Sequence, residues 1–342
     1  MKAILIKEPH KIEVTDIEME QLKSEKDVLI KVKAGGICGS DMHGYHGTSP
    51  FINYPVVPGH EFAGLVTEVG EAVKNIKVGD HVSVDPVISC GECYACKNGR
   101  YNVCSDLKVR GVHVDGGFKE YVSIPEKACY KINENIPWEV ACLVEPFTIA
   151  SQSLSRGGIN KNDIVFIAGA GAIGLTILLT AKSEGATVII SDISDAKLER
   201  AKAIGADYTI NSLNTSLEAF IGAHEAIEGI TLALDAVGHP SIIESILPSM
   251  LPTGRVVLLG FLKAPSNLIQ MEVTKKELDI KGSRLSCNKF SVVVDCIEQG
   301  LFNPKKIISH TFDYTKVEEA IDLLVNRPDE CCKVILNFES EV

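Results

Sequence analysis

The stretch VFIAGAGAIGL, Val165 to Leu175, reads as the end of an apolar strand, a turn Gly169-x-Gly171-x-x-Gly174 and the start of a helix. The first glycine permits the tight turn. The second lets the backbone approach a pyrophosphate, and the third lets the helix pack closely while its N-terminus faces the anion. The same spacing occurs in ordinary turns, so its surroundings decide. A buried-looking strand precedes it, and Asp192 ends the next strand, TVIISD, eighteen residues after Gly174. A carboxylate there accepts hydrogen bonds from both ribose hydroxyls and repels a 2′-phosphate, which selects NAD over NADP. Gly169, Gly171, Ile173, Gly174 and Asp192 are the expected cofactor positions. Lys197 is a further candidate for the ribose, with a solvated helix lysine as the alternative.

Outward from this turn the strand and helix patterns alternate. DIVFIAG leads to a helix over 172–184, TVIISD to a helix over 195–204 closed by Gly205, and TLALDAVG and RVVLLGF flank a helical stretch from Pro240. Apolar strands alternating with helices predict an α/β fold with a doubly wound parallel sheet. The N-terminal part differs. DVLIKVKA, GLVTEVG and DHVSVDP are short β-patterned runs separated by Gly, Pro and Asp, which predicts a β-rich domain with long loops. Two helical patterns and the strand KVILNF close the chain, and this last piece is expected to rejoin the first domain.

At 342 residues two domains are expected rather than one. The net charge of −11 argues against nucleic acid and against an anionic membrane surface. The uncharged run Ile164–Ala181 is broken by its glycines, so no membrane span is expected there. MKAILIKEPHK has neither the apolar core nor the cleavage site of a signal peptide, so the expected location is the cytoplasm. Eleven cysteines in that compartment point to metal ligands and core packing rather than disulfides.

Four of them, Cys90, Cys93, Cys96 and Cys104, follow the spacing C-x2-C-x2-C-x7-C. Four thiolates in one short loop close a tetrahedron around zinc and leave no open position, which is a structural site. Ferredoxin-type runs carry the fourth cysteine three residues after the third, followed by proline; here the gap is seven and Ser105 follows. A second grouping is less self-evident. CGSDMHGYHG, Cys38 to Gly47, crowds a thiol, a hydroxyl, a carboxylate and two imidazoles together, and PGHEFAG and LVEPF add His60, Glu61 and Glu145. Each of these has an ordinary structural use on its own.

The motifs GGICGSDMH, PGHEFAG, the four-cysteine lobe, DGGFKEY, VEPF and GAGAIG stand in the order found in the medium-chain zinc-dependent alcohol and polyol dehydrogenases, which the chain resembles from end to end. The resemblance implies a GroES-like β-rich catalytic domain over 1–147 carrying both zinc sites. A Rossmann NAD-binding domain over 148–287 and a C-terminal segment over 288–342 returning to the first domain complete it. It makes Cys38 and His60 ligands of a catalytic zinc and Glu61 a third ligand or close neighbour, with Glu145 binding directly or through water and Asp41 orienting His60. Ser40 and His43 become the proton relay from a secondary alcohol whose hydride goes to NAD. His46 has no role in this scheme. The cofactors implied are two zinc ions per chain and NAD, and the assembly a homodimer or homotetramer.

Within the family YPVVPGHEF, GVHVDGGF, VEPFTIA, GSRLSCNKF and HTFDY are similar to enzymes of sugar acids, the L-gulonate and L-galactonate 5-dehydrogenases, and to starvation-sensing homologues. A hexonate needs a cation for its carboxylate, and Arg284 is the candidate, with an ion-pair residue as the alternative. His113 is a second candidate contact. A neutral polyol dehydrogenase of the sorbitol type, a threonine-type dehydrogenase and an NAD-binding sensor are the competing readings. The metal ligands disfavour the zinc-free quinone reductases.

Overall fold

The computed structural model describes residues 1–339. Their contacts divide them into two compact units, Met1–Pro146 with the segment from Cys287 onward, and Phe147–Ser286.

The second unit is built on six parallel strands in the order Tyr208–Asn211, Thr187–Asp192, Ile164–Ala168, Ile230–Asp235, Met250–Leu258 and Asp279–Gly282. The chain runs outward from Ile164–Ala168 in one direction, returns, and continues on the other side. That reversal opens a crevice at the carboxyl ends of the strands, where Gly169 sits. A Cβ on Gly174 would collide with the Gly169 carbonyl oxygen, so the third glycine is a steric requirement of this helix packing. The helix Ala172–Ser183 is buried continuously from Gly174 to Ala181. It is therefore apolar all round rather than amphipathic, because the sheet and the helix Asp195–Ile204 cover it. Ile189, Ala233, Ile246 and Val256 lie among the fully buried side chains of the core beneath.

In the first unit a seven-stranded mixed sheet runs Ile308–Asp313, Lys333–Asn337, Asp27–Ile37, Glu61–Val69, His81–Val84 and Cys129–Lys131, with Tyr121–Pro125 also paired to Asp27–Ile37. Alternation along DVLIKV buries Val28, Ile30 and Val32 completely, and Phe62 and Val66 join them. Each such side chain contributes roughly 1.5–3 kcal/mol of apolar burial. The last strand, read from KVILNF, pairs antiparallel with Asp27–Ile37, so the C-terminal segment completes the sheet. Its register sets Val334 opposite Ile37, while Gly36 faces Glu61 on the other side. Three distant segments thus meet at one end of the longest strand. Among the described residues no helix is long and apolar enough to cross a membrane.

Candidate functional site

The strand Asp27–Ile37 runs directly into Cys38, which caps the helix Gly39–Tyr45. Asp41 Oδ2 accepts from the Cys38 backbone N–H at 2.8 Å, and its Oδ1 accepts from the Gly59 N–H at 3.1 Å. One buried carboxylate therefore joins the two loops that carry Cys38 and His60. The His60 Nδ1 to Asp41 Oδ1 distance is 3.8 Å, beyond hydrogen-bond reach but within ion-pair distance, so Asp41 acts on His60 by its charge and through the Gly59 loop. Burial raises the Asp41 carboxyl above its ordinary range, against the His60 charge and the N–H donors.

The Cys38 sulfur, a His60 ring nitrogen and a Glu61 oxygen all lie within 4.8 Å of one another. His60 and Glu61 are buried, and His60 Nδ1 has no hydrogen-bond partner among the described residues. Burial alone would lower the His60 pKa. The Cys38 thiolate, Asp41 and Glu145 outweigh it and hold the imidazole well above its usual value. A cation is what so crowded a set of anionic donors calls for, and a thiolate, an imidazole and a carboxylate with one open position suit zinc. Glu145, in the first turn of the helix Val144–Gly157, is not in the 4.8 Å group but is buried nearby. Burial pushes its carboxyl up to about 8, with the neighbouring Glu61 charge adding and His60 opposing.

A partner for Glu61 that the sequence reading missed comes from the last strand. Lys333 Nζ donates to Glu61 Oε1 at 2.7 Å and to Oε2 at 2.8 Å, with the Ile37 carbonyl at 3.4 Å. Lys333 is 1% exposed and Glu61 0%. Burial by itself would depress the lysine; the Glu61 charge more than reverses this and keeps it cationic. Each carboxylate oxygen retains a second lone pair, so the pair is compatible with metal ligation. Gly36 is needed here, because a Cβ would occupy the space of Glu61 Oε2.

Ser40 and His43 are i, i+3 neighbours on one face of the helix Gly39–Tyr45. His43 is exposed and its Nδ1 lies 2.9 Å from Thr48 Oγ1, a contact absent from the sequence reading. His46 packs its ring 5.4 Å from His10 and 5.3 Å from Tyr45, a surface aromatic group. His113 Nδ1 accepts from the Val109 N–H at 3.1 Å, and its ring is 5.5 Å from Phe51.

The four-cysteine lobe is closed as the spacing predicts. Sulfur separations are 3.5 Å for Cys93–Cys96, 3.8 Å for Cys93–Cys104 and 3.4 Å for Cys90–Cys104. Zn–S bonds in a tetrahedron place sulfurs about 3.8 Å apart. Backbone N–H groups of Cys90, Cys93 and Asp106 point at the sulfurs of Cys104, Cys90 and Cys104. Such donors favour thiolate, and N–H groups of Cys96 and Ser105 hold the Cys93 thiol down.

In the second unit Asp192 Oδ2 accepts from the Ala170 N–H at 2.8 Å, and Oδ1 from those of Ile193 and Ser194 at 2.8 and 3.0 Å. The carboxylate is thereby fixed beside the glycine turn. Lys197 stands in the first turn of the next helix, where its N–H meets the Ser194 cap. Arg284 follows the strand Asp279–Gly282, with its guanidinium 5.2 Å from the Phe261 ring centroid.

Two family models match the chain: the alcohol dehydrogenase GroES-like domain over residues 24–134 and the zinc-binding dehydrogenase over 172–299. The starvation-sensing protein RspB of Escherichia coli K12 is 46% identical over 342 residues, covering 99% of each chain. The L-threonine 3-dehydrogenase of Pyrococcus horikoshii is 37% identical, covering 87% of this chain and 88% of its own. The L-galactonate-5-dehydrogenase of E. coli K12 is 32% identical over 93% of both. Among solved structures, the RspB alcohol dehydrogenase of E. coli CFT073 complexed with NADH superposes with a TM-score of 0.94 at 45% identity, covering 99% of each chain.

Proposed function

Because the chain belongs to the zinc-dependent medium-chain alcohol dehydrogenase family, we propose that it oxidises a secondary alcohol of a sugar acid, the C5 hydroxyl of L-gulonate or L-galactonate, with NAD. The class of reaction follows from family membership: it is a zinc-containing, NAD-dependent oxidoreductase acting on CH–OH groups. The observation that carries the chemistry is the buried Cys38–His60–Glu61 donor set. The sugar-acid substrate is supported by the quoted sequence stretches and by the L-galactonate-5-dehydrogenase relative.

Cys38, His60 and Glu61 would hold the catalytic zinc, with Glu145 beside them, and the four lobe cysteines the structural one. When bound, the catalytic ion supplies Lewis acidity toward the alcohol oxygen and NAD takes the hydride. The hydroxyl proton has to leave. Ser40 would accept it, and His43, with Nδ1 2.9 Å from Thr48 Oγ1 and its side chain exposed, would carry it away. Lys333 Nζ donates to both oxygens of Glu61 and would restrain that carboxylate beside the zinc. Asp192 orients the ribose, and Arg284 is the cation assigned to the hexonate carboxylate.

An NAD-reduction screen with zinc-replete protein over L-gulonate, L-galactonate, sorbitol, L-iditol and L-threonine tests the reading. The hexonates are expected to turn over fastest. Preference for a neutral polyol or for threonine would move the assignment to that class, and no turnover with any would support an NAD-binding sensor. Asp192→Ala is expected to raise the KM for NAD about ten- to a hundredfold, the equivalent of about 1.5–3 kcal/mol for a charged hydrogen bond. Rejection of NADP should relax in the same variant, because the repelling charge is gone; initial rates with both cofactors read this. The exposed apolar side chains Phe261, Leu262 and Met271 support a homodimer or homotetramer, which sedimentation velocity measures.

A further inference from the structure

A cavity of about 350 Å³ lies in the first unit, and neither Cys38, His60, Glu61 nor the lobe cysteines line it. Its walls include Asp85, Tyr101, Arg110, Lys127, Tyr130 and Asn288. Arg110 has no place in the metal centre or the cofactor turn. Its Nε is buried and has no partner among the described residues. Burial lowers its pKa against the charges of Asp27 and Glu20, neither of which forms an ion pair with it. Glu20 is taken by Lys119 at 2.7 Å and Lys23 at 2.6 Å, and Asp27 accepts from Ser123 at 3.1 Å. Asp85, on another wall, accepts from the Tyr101 hydroxyl at 2.9 Å and the Val87 N–H at 2.9 Å. A partly buried guanidinium with no direct ion pair leaves its donors under-satisfied, and a carboxylate entering the cavity would pair with it.

The remaining lining decides what kind of anion. Val87, Ile88, Pro125 and Ala128 are apolar, and the Tyr130 ring is held in a stack on Phe290 at 5.0 Å. Bare phosphate would leave these surfaces uncovered. A cavity of about 150 Å³ already accepts benzene, so this one admits a ring together with its carboxylate. We propose that the cavity is a binding site for a small organic carboxylate with a flat apolar body, its carboxylate paired with Arg110 and its far end toward the Tyr101–Asp85 hydrogen bond. The Tyr101 hydroxyl also accepts from the Asn288 N–H at 3.1 Å. The site therefore joins the four-cysteine lobe, the strand end at Asp85 and the C-terminal segment, and occupancy should stiffen all three.

Titration calorimetry and thermal melting of the zinc-replete full chain, without NAD, test this with benzoate and 4-hydroxybenzoate as probes and inorganic phosphate as the comparison. Saturable binding of one benzoate per chain with a raised Tm is expected. Arg110→Met should weaken it at least tenfold with a much smaller effect on the unliganded Tm, since no direct ion pair is broken. Arg110→Lys, which keeps the charge but not the fork, should fall between. Absence of saturable benzoate binding, or unchanged affinity in Arg110→Met, as for a carboxylate held at the zinc site, would overturn the proposal. So would phosphate binding where the aromatic acids do not, or a loss of unliganded stability in Arg110→Met with benzoate affinity intact.

Discussion

Lys333→Met is expected to destabilise the metal-free protein by about 3–5 kcal/mol, the usual cost of removing one partner of a buried ion pair. Glu61 has no exposure to water and both of its oxygens lie on Lys333 Nζ, so the variant strands a carboxylate in the interior. Zinc offers Glu61 a second positive partner, and the loss should therefore shrink when zinc is bound. Urea unfolding with and without chelator measures both quantities. An equal loss in the two conditions would mean that Glu61 does not face the metal. The double variant Lys333→Met, Glu61→Met should recover much of the stability, because neither charge is then left alone. Lys333→Met should also tighten zinc binding, since a cation beside the site has gone; competition with a chromogenic chelator reads this directly.

Cys38→Ser should lower turnover by at least three decades, equivalent to roughly 4 kcal/mol or more of transition-state stabilisation, with little change in melting. Cys38 belongs to the donor set with an open position, and the helix it caps is tied to Gly59 by Asp41, which the substitution leaves in place. Cys93→Ser should do the opposite in its first effect. The lobe residues Tyr94–Lys97 form a single helical turn with no buried side chain, so their conformation depends on the sulfur cluster. Removing one thiolate should lower the melting temperature before it touches chemistry. Metal analysis paired with calorimetry separates the two, each variant expected to lose one of the two zinc ions that the donor clusters would hold. Equal loss of stability in both would remove the distinction between a catalytic and a structural site.

Much of this molecule is written in short stretches. The glycine turn, the strand before it, Asp192 after it and the four-cysteine spacing are each specified within a few tens of residues, because tight turns, strand alternation and chelation by neighbouring thiolates are local physics. Cys38, Ser40 and His43 crowd into one short stretch, but their roles came from the family resemblance rather than from that spacing. Asp41 was seen beside His60, but not the hydrogen bonds that fix it. Its proximity to His60 follows from the loops, yet the two backbone N–H groups it accepts from could not be read without their positions.

Lys333 shows where local reading ends. In KVILNF it stands as a lysine opening an edge-like strand, for which solvent is the ordinary destination, and its partner Glu61 is 272 residues away. Arg110 is the same case, a basic residue in a polar loop until its place on a cavity wall, with no direct ion pair, is seen. The amino-acid sequence alone determined the β-rich and α/β parts, the cofactor turn and the four-cysteine cluster, because each rests on spacing along the chain, whereas Cys38, His60 and Glu61 were assigned only through the family resemblance. Only the tertiary structure decided which charges are neutralised and which are left over. That depends on the register of antiparallel strands, which sets Val334 against Ile37 and Gly36 against Glu61 and so brings a buried cation to the metal centre from the far end of the chain.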